Sequence, residues 1–522
     1  MWSLRSCILA AIAILSLSFP SQLVRAQATP SPEEQALRQR VEDLERQLKQ
    51  LEERFNQQAN PAPKVAPLPA EPVQAAKPPE PSPQEQAMQK QIDDLNHQVK
   101  TLEQKEQTVQ APAVRKPTAP ADPYVRNGLV LTAPDSELQV RFRALLQIDY
   151  RDYLDQPPGS AVDTWLIRRA RPILEGTAYE KFDFRIMADF GNTQNNGTLT
   201  ASTPQIYDAY VDANLYPEFK IRVGKFKPPV GLERLQSPAD LLFAERAFPT
   251  DLVPNRDIGL QLSGDVLNRT INYAVGFFDG AVDNTSVQTG DSNNGKDLDL
   301  RVFAQPWRSS GIYGLKGLGV GLAYTHGIQS GVAVTNPQLP TYLTPGQQNF
   351  FTYAAGAFAN GERVTWAPQM YYSIGSIGVL GEYTNTTQFV TRATNSQNVS
   401  NNAWQIALSW VLTGENASFR GVIPSHNFNL KQGAWGDVEL VARISKLTVD
   451  GDAYLGSTAT RLADPSTQAS KATDYGIGLG WDLSRQFRIM IDYDQTKFQG
   501  GAANGADRPD EKVLITRFQY SL

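Results

Sequence analysis

The sequence predicts an all-β fold, a transmembrane β-barrel of about 16 antiparallel strands preceded by an N-terminal coiled-coil and Pro-rich stalk. Three observations predict it: long strands that alternate between apolar and polar residues, an apolar face on nearly every one of them, and a heptad-patterned segment that occurs twice near the N-terminus. The chain has 522 residues and a formal net charge of -5, a balance that gives no indication of a nucleic-acid partner.

Residues 1–26 have the features of a secretory signal peptide. Arg5 precedes an apolar run from Cys7 to Leu17, Pro20 interrupts the sequence, and Ala26 ends it with a small residue. The run is too short for a comfortable membrane span, so we expect cleavage after Ala26. Because Cys7 is the only cysteine, the mature chain would have neither disulfides nor cysteine metal sites. No later stretch is apolar for the ~18 residues of a transmembrane helix.

Two heptad-patterned segments follow, at residues 27–60 and 82–110. Residues 31–53 align without gaps to residues 82–104, so the segment is a tandem duplication. Each copy spans about three heptads, near the lower limit for an isolated coil, and association through a larger domain would stabilise it. The apolar positions of the first copy alternate in steps of four and three, as the a and d positions of a coiled coil do: Leu37, Val41, Leu44, Leu48, Leu51 and Phe55.

Pro- and Ala-rich linkers, residues 61–81 and 111–123, separate these segments from each other and from the remainder of the chain. Such sequences cannot bury a core and are expected to be extended, semi-rigid spacers. A solvated, partly disordered stalk is the alternative to an oligomerising coiled coil for the whole region.

From residue 124 to the end, the pattern changes to long alternating strands. In ELQVRFRALLQIDYRD, residues 137–152, the even positions from Leu138 to Tyr150 are apolar, and the odd positions are polar apart from Leu145. TWLIRRARPILEGTA repeats the split: Leu166, Ala170, Pro172, Leu174 and Ala178 are predicted to share the outer apolar face, and Arg168 is an exception among them. The lengths of these strands approach about nine to eleven residues, the length with which a tilted strand crosses a bilayer, and many strands end in an aromatic residue. Lipid admits strands only in a closed sheet, because an open edge leaves amides unpaired.

The connections alternate between long and short, which is expected for an even-stranded barrel with both termini on the periplasmic side. At about 16 strands, side chains cannot fill the interior, so we expect a water-filled lumen unless a segment plugs it. The third long loop, within residues 225–257, mixes apolar and charged residues and is predicted to fold inward and narrow the channel. Residues 385–401 are predicted to form another long loop. The strand boundaries around residues 306–316 and 413–433 stay open, because these short-side links are unusually long.

The barrel region contains a series of motifs, in order RRARPILEG, DAYVDANL, RVGKFKPPVGLERLQSPADLLFAERA, LTGENASFRG followed by GAWGDVELVARIS, YGIGLGWDLSRQFRIMIDYDQTKF and ITRFQYSL. Together these motifs resemble the phosphate-selective porin O and P family. The resemblance covers roughly residues 138–522 and implies a trimeric 16-stranded outer-membrane barrel with an inward third loop and with arginines and lysines that conduct anions. A trimer would also bring three stalks together. The chain departs from the usual terminal Phe, since it ends in Leu522.

Arginine suits the wall of an anion path, because its planar fork presents paired donors to phosphate oxygens and stays charged. Rings of Arg or Lys attract anions, and several modest sites in series let the ion leave. Lumen carboxylates such as Asp149, Glu175 and Asp208 are equally good partners for any single arginine. The candidates for the anion path are Arg141, Arg143, Arg169, Arg171, Lys220, Arg222, Lys225, Lys227, Arg234 and Arg246.

We expect passive diffusion of small anions, phosphate foremost, through a trimeric pore in the bacterial outer membrane, with the stalk in the periplasm. The alternatives are a general weakly selective porin, and an envelope-spacing protein whose stalk binds peptidoglycan and whose barrel is an anchor in outer-membrane lipid. An enzyme, a cofactor and a metal are not predicted, because His97, His326 and His426 lack metal-ligand spacing. Residues 291–299 hint at calcium, but Gly295 falls one place early for an EF-hand loop.

Overall fold

The computed structural model describes residues 128–522, apart from 134–136, 156–160, 192, 196–197, 201–203, 288 and 291–292, together with twelve residues between 43 and 94. The chain divides into two units, Met1–Pro120 and Ala121–Leu522. The twelve residues belong to the predicted coiled-coil segments and are all helical and exposed. The predicted signal peptide, both linkers and most of the coiled-coil positions lie outside the described residues. Among the described residues, no helix is long and apolar enough to cross a membrane.

Twenty-one strands lie in the described part of the second unit. They are β1 (Leu129–Thr132), β2 (Leu138–Leu154), β3 (Thr164–Ala178), β4 (Phe182–Asp189), β5 (Thr193–Asn195), β6 (Thr198–Thr200), β7 (Gln205–Tyr216), β8 (Phe219–Phe226), β9 (Asp257–Val266), β10 (Ile271–Phe278), β11 (Asp297–Ala304), β12 (Gly319–Ser330), β13 (Thr341–Leu343), β14 (Asn349–Thr352), β15 (Phe358–Ile374), β16 (Ile377–Arg392), β17 (Asn395–Val411), β18 (Asp437–Thr448), β19 (Ala469–Asp482), β20 (Phe487–Gly500) and β21 (Glu511–Ser521).

Sixteen of these strands form a closed antiparallel barrel, which confirms the predicted fold class of this region. Each barrel strand pairs with the next one along the chain, and β21 closes the sheet by pairing with β2 from Leu145–Ser521 to Leu154–Lys512. The short strand β1 extends the same edge of β2 beyond the end of β21. The two remaining pairs, β5 with β6 and β13 with β14, are hairpins within connections. In the described part of the second unit, short helices occur only in connections: α1 (Leu232–Leu235) and 3-10 turns at Phe248–Leu252, Tyr313–Leu315, Leu430–Gln432, Gly451–Tyr454 and Ala503–Gly505.

The polar face of the barrel strands is the buried one, as the alternation predicts. In β2, Gln147, Asp149 and Arg151 are each 0% exposed, whereas the outward-facing Leu138 and Phe142 are 40% and 45% exposed. Apolar side chains on the outside and polar ones on the inside is the arrangement that lipid requires of a barrel.

The alternation of β3 breaks at Arg168 because of a β-bulge. Gln147 of β2 pairs with Arg169, but the next residue of β2 pairs with Ile167, so Arg168 is the extra residue. The bulge inverts the parity of the strand: Trp165 is 61% exposed and Leu166 only 4%. The prediction that Leu166 shares the outer apolar face is therefore wrong, and the Arg168 side chain is turned into the barrel.

The prediction of a long loop at residues 385–401 is also wrong. β16 and β17 extend across these residues and are joined by a turn at residues 393–394. Asn, Thr and Ser occupy both faces of these strand ends, so no alternation reveals them in the sequence. Residues 306–316 and 413–433 contain no barrel strand, which settles the boundaries that the sequence left open.

An apolar core fills part of the interior at the end of the barrel with the long loops. Phe350 of β14 packs there with Phe248, which lies between β8 and β9, and with Val399 and Ala403 on the inner face of β17. Tyr153 Oη donates to the carbonyl oxygen of Gly346 in the same connection as the hairpin, at 2.5 Å. The interior is therefore partly packed by connections, an arrangement that strand periodicity alone does not predict.

Candidate functional site

A cavity of about 610 Å³ lies inside the barrel and carries far more basic than acidic side chains. It is bounded by residues of β2–β4, β7–β11 and β21, by residues 227–256 between β8 and β9 (the β8–β9 segment), and by Phe419 and Arg420 from the β17–β18 link, residues 412–436. The acidic residues in its lining are Asp208 and Asp240. An excess of cations in a low-dielectric cavity produces a positive potential that attracts anions. The basic lining residues are Arg143, Arg171, Arg185, Arg222, Lys227, Arg256, Arg301 and Arg420.

A second cavity of about 260 Å³ adjoins the first, with which it shares Arg185, Tyr210 and Arg222. It lies near the short turns, between the start of β2 and the end of β3. Its three arginines, which include Arg141, are matched by three carboxylates, Glu175, Asp183 and Asp212. The positive excess is therefore confined to the larger cavity.

Four predicted site residues line the larger cavity, and all of them also have partners within the protein. Arg171 Nε lies 2.7 Å from an oxygen of Asp189. Arg222 donates to both oxygens of Asp212, at 2.6 and 2.7 Å. Arg143 Nη1 lies 3.2 Å from Glu175, and Lys227 Nζ donates to the Gln236 carbonyl oxygen at 2.8 Å. Each of the three arginines therefore pairs with a carboxylate and lines the cavity at the same time.

The other predicted residues lie elsewhere. Arg141 lines only the smaller cavity, Lys220 Nζ lies 3.8 Å from Asp265, and Lys225 is 5% exposed in β8. Arg169 is 3% exposed and donates to Gln147 Oε1 at 2.6 Å. Lys220, Lys225 and Arg169 line neither cavity.

Arg234 and Arg246 belong to the β8–β9 segment and are directed into it. Arg234 donates to the carbonyl oxygen of Thr250. Arg246 donates to the carbonyl oxygens of Glu233 and Gln236, at 3.1 and 2.8 Å. Both arginines hold the fold of the segment and lie outside the cavity linings.

Sequence reasoning missed four of the lining cations. Arg185 and Arg301 occupy inward positions of β4 and β11, so strand alternation could have found them. Arg256 ends the β8–β9 segment and Arg420 lies in the β17–β18 link, where no periodicity gives a direction.

Aromatic rings fix the orientation of several cavity arginines. The Arg222 guanidinium lies 4.0 Å from the centre of the Tyr210 ring, and that of Arg301 lies 4.8 Å from the Phe303 ring. Arg171 stacks on Tyr207 at 4.3 Å. Stacking occupies one face of the guanidinium plane and leaves its N–H edge for a carboxylate, water or an anion.

The β8–β9 segment is attached to the barrel by an arginine cluster around Glu245. Glu245 and Asp149 are the carboxylates of this cluster, and Asp149 accepts from Arg517 at 2.6 and 2.7 Å. The members are 13% exposed or less in their side chains. The nearest distances from the Glu245 oxygens are 2.5 Å to Arg168, 2.7 Å to Arg151, 3.1 Å to Arg517 and 3.7 Å to Arg169.

Polar side chains of β16, β18, β20 and β21 satisfy the backbone of the same segment. Asp492 of β20 accepts from the Ala244 N–H at 2.6 Å, and Arg443 of β18 donates to the Glu245 carbonyl oxygen at 2.8 Å. Gln519 of β21 donates to the Ala239 carbonyl oxygen at 2.9 Å. The segment therefore contacts the side of the barrel whose inner face carries a large set of buried carboxylates: Asp437, Glu439, Asp474, Asp482, Asp492, Asp494 and Glu511.

A family model described as phosphate-selective porin O and P matches residues 139–522. No curated protein matches the chain. The outer membrane channel DcaP of Acinetobacter baumannii is 11% identical with a TM-score of 0.46, over 76% of this chain and 100% of that chain. OmpT of Vibrio cholerae is 10% identical with a TM-score of 0.45, over 76% and 100%. Salmonella typhi OmpF, in complex with daunomycin, is 11% identical with a TM-score of 0.44, over 75% and 100%.

The arginine cluster yields a test of what holds the β8–β9 segment. Replacing Glu245→Gln leaves buried guanidinium groups without their counter-charge, so we expect the unfolding free energy to fall by about 3–5 kcal/mol. Asp279→Asn is the matched control, because it breaks a pair with Lys296 at 3.6 Å whose side chains are 22% and 34% exposed and which should contribute ~1 kcal/mol or less. Urea unfolding of the refolded barrel in lipid vesicles measures both. Equal losses in the two variants would contradict the assignment.

Proposed function

We propose that this chain, which belongs to the phosphate-selective porin O and P family and is an outer-membrane porin, conducts small anions, phosphate among them. The ions would pass by passive diffusion along the basic side of its barrel. The observation that carries the proposal is the lining of the larger cavity, which contains eight Arg and Lys side chains and two Asp carboxylates. Such an excess raises the local concentration of anions and lowers that of cations.

Arg301 is the best candidate for direct contact with the ion. It lines the cavity, and it donates hydrogen bonds to the neutral side chains of Gln369 and Asn272, at 3.1 and 3.5 Å. Within the described residues, no carboxylate lies within ion-pair distance of it. Its charge is thus less compensated than that of Arg171 or Arg222, and an anion would complete its coordination.

The β8–β9 segment would act as the constriction of the pore. Its contacts with carboxylate-rich strands support this role, because they cover acidic groups and leave the basic strands beside the cavity. The β17–β18 link would complete the constriction, since Gln236 of the segment donates to the Phe419 carbonyl oxygen at 2.6 Å. An ion would then pass several modest binding groups in series, which favours conduction over trapping.

The heptad segments at 27–60 and 82–110 would form a periplasmic stalk that associates in a homotrimer of barrels. Two copies joined by an extended Pro-rich linker would make this stalk long, which also suits a second role as an envelope spacer that contacts peptidoglycan. Deleting residues 27–123 should leave single-channel conductance unchanged, because all cavity residues lie in the barrel. Conductance measured before and after the deletion tests whether the stalk lies outside the pore. Cross-linking of the protein in detergent tests whether the stalk is needed for the trimer. Lost conductance would place the stalk in the pore, and an unchanged trimer would show that the barrel alone sets the assembly.

Reversal potentials in planar bilayers under a potassium chloride gradient test anion conduction. We expect a potential near the chloride equilibrium value and a chloride current that low phosphate blocks. Arg301→Gln should weaken the phosphate block by about tenfold, the effect of one lost hydrogen bond to a charged group. Arg308→Gln removes an exposed arginine outside the cavities and should leave the block unchanged.

A reversal potential near zero without block would contradict anion selectivity and leave a general porin. The absence of channels would favour the role of an anchor.

A further inference from the structure

Four lysines occupy outward-facing positions on four adjacent strands at the end of the barrel with the long loops. They are Lys446 of β18, Lys471 of β19, Lys497 of β20 and Lys512 of β21. Their outward direction follows from the strand neighbours, which are buried on the inner face: Ser445 and Leu447, Ala472, Thr496 and Phe498, and Glu511 and Val513. We call these four residues the lysine patch.

The strand register makes the lysine patch compact. Thr473 of β19 pairs with Lys446 on one side and with Lys497 on the other, so these two lysines lie in one row, two strands or ~10 Å apart. Lys471 pairs with Gln499, and Lys512 pairs with Gln495, each two residues along β20 from Lys497. Flexible lysine side chains at these positions can direct several ammonium groups at one phosphate group.

The depth of the lysine patch corresponds to the headgroup region of the membrane. Tyr475, two residues from Thr473 toward the middle of the barrel, is 47% exposed. Tyr493 occupies an outward position two residues from Gln495 on β20. Outward tyrosines mark the interface between hydrocarbon and headgroups, so the lysines lie just outside that boundary.

The charge of the lysine patch is largely uncompensated and confined to one end. Lys512 Nζ lies 2.8 Å from Asp155, whereas no carboxylate of the described residues lies within ion-pair distance of the other three lysines. At the opposite end of the same four strands, the outward positions hold apolar and aromatic residues: Val438, Trp481, Phe487 and Tyr520.

We propose that the lysine patch binds the phosphate groups of an acidic lipid in the outer leaflet of the membrane. The apolar outer face continues directly from the patch through exposed residues such as Ile477 and Ile491, which provides a surface for acyl chains. A lipid phosphate with its chains on this face satisfies the cations and the apolar surface together, and a free phosphate ion would use only the cations. The site is distinct from the anion path, because its lysines point away from the lumen.

Native mass spectrometry of the full chain in detergent, titrated with bis-phosphorylated lipid A, tests this site. The triple variant Lys446→Gln, Lys471→Gln, Lys497→Gln should bind this lipid on the order of 100-fold more weakly than the wild type, given the contribution of each lysine near an anionic surface. The control changes three exposed lysines at the other end, Lys181→Gln, Lys316→Gln and Lys431→Gln, and should bind like the wild type.

Replacing the same three patch lysines by arginine keeps the charge and should keep the binding. This variant, with heat-modifiable migration in gels as the check of folding, separates charge from barrel stability. Binding unchanged by the glutamine variant, or lost equally in the control, would overturn the proposal. Displacement of the lipid by an equal concentration of inorganic phosphate would overturn the assignment to a lipid.

Discussion

Compensation of buried charge inside a closed sheet is the constraint on which the rest of this structure depends. Closure is required in lipid, and it turns the polar face of every strand into the interior. Arg151 and Arg517 are 0% exposed there, and a buried guanidinium without a counter-charge is strongly destabilising. Asp149 supplies part of the compensation, and Glu245 brings the remainder from the β8–β9 segment. The position of the segment and the stability of the barrel are therefore coupled through one carboxylate.

The need to compensate buried charge also distinguishes the acidic side of the barrel wall from the basic side. Carboxylates of β18–β21 are used to bind arginines of the same region and the backbone of the segment, as Asp492 does for Ala244. On β2–β4 and β7–β11, basic residues such as Arg171 and Arg222 pair with nearby carboxylates and also line the larger cavity. The larger cavity is therefore lined mainly by basic residues although the whole chain has a net charge of -5, since the buried acidic groups of β18–β21 lie where the segment contacts the barrel.

Strand alternation predicts much of this fold from sequence, because lipid outside and water inside impose opposite chemistry on successive residues. It gives the barrel, its antiparallel closure and the inward direction of Arg143 and Arg171. It fails at Arg168, where the bulge changes the parity, and at residues 385–401, where both strand faces are polar. The predicted inward fold of their loop placed Arg234 and Arg246 in the anion path, but both side chains donate to carbonyl oxygens of their own segment. Partners of this kind depend on tertiary contacts, which no local pattern encodes.

The most direct test of the central claim is the position of anions in the barrel. Crystals of the porin soaked in bromide would reveal bound ions by their anomalous scattering. The account predicts bromide along the basic side of the larger cavity, in contact with Arg301 and Lys227, and none beside the carboxylates of β18–β20. Bromide absent from this cavity, with the ions confined to the outer surface, would contradict it.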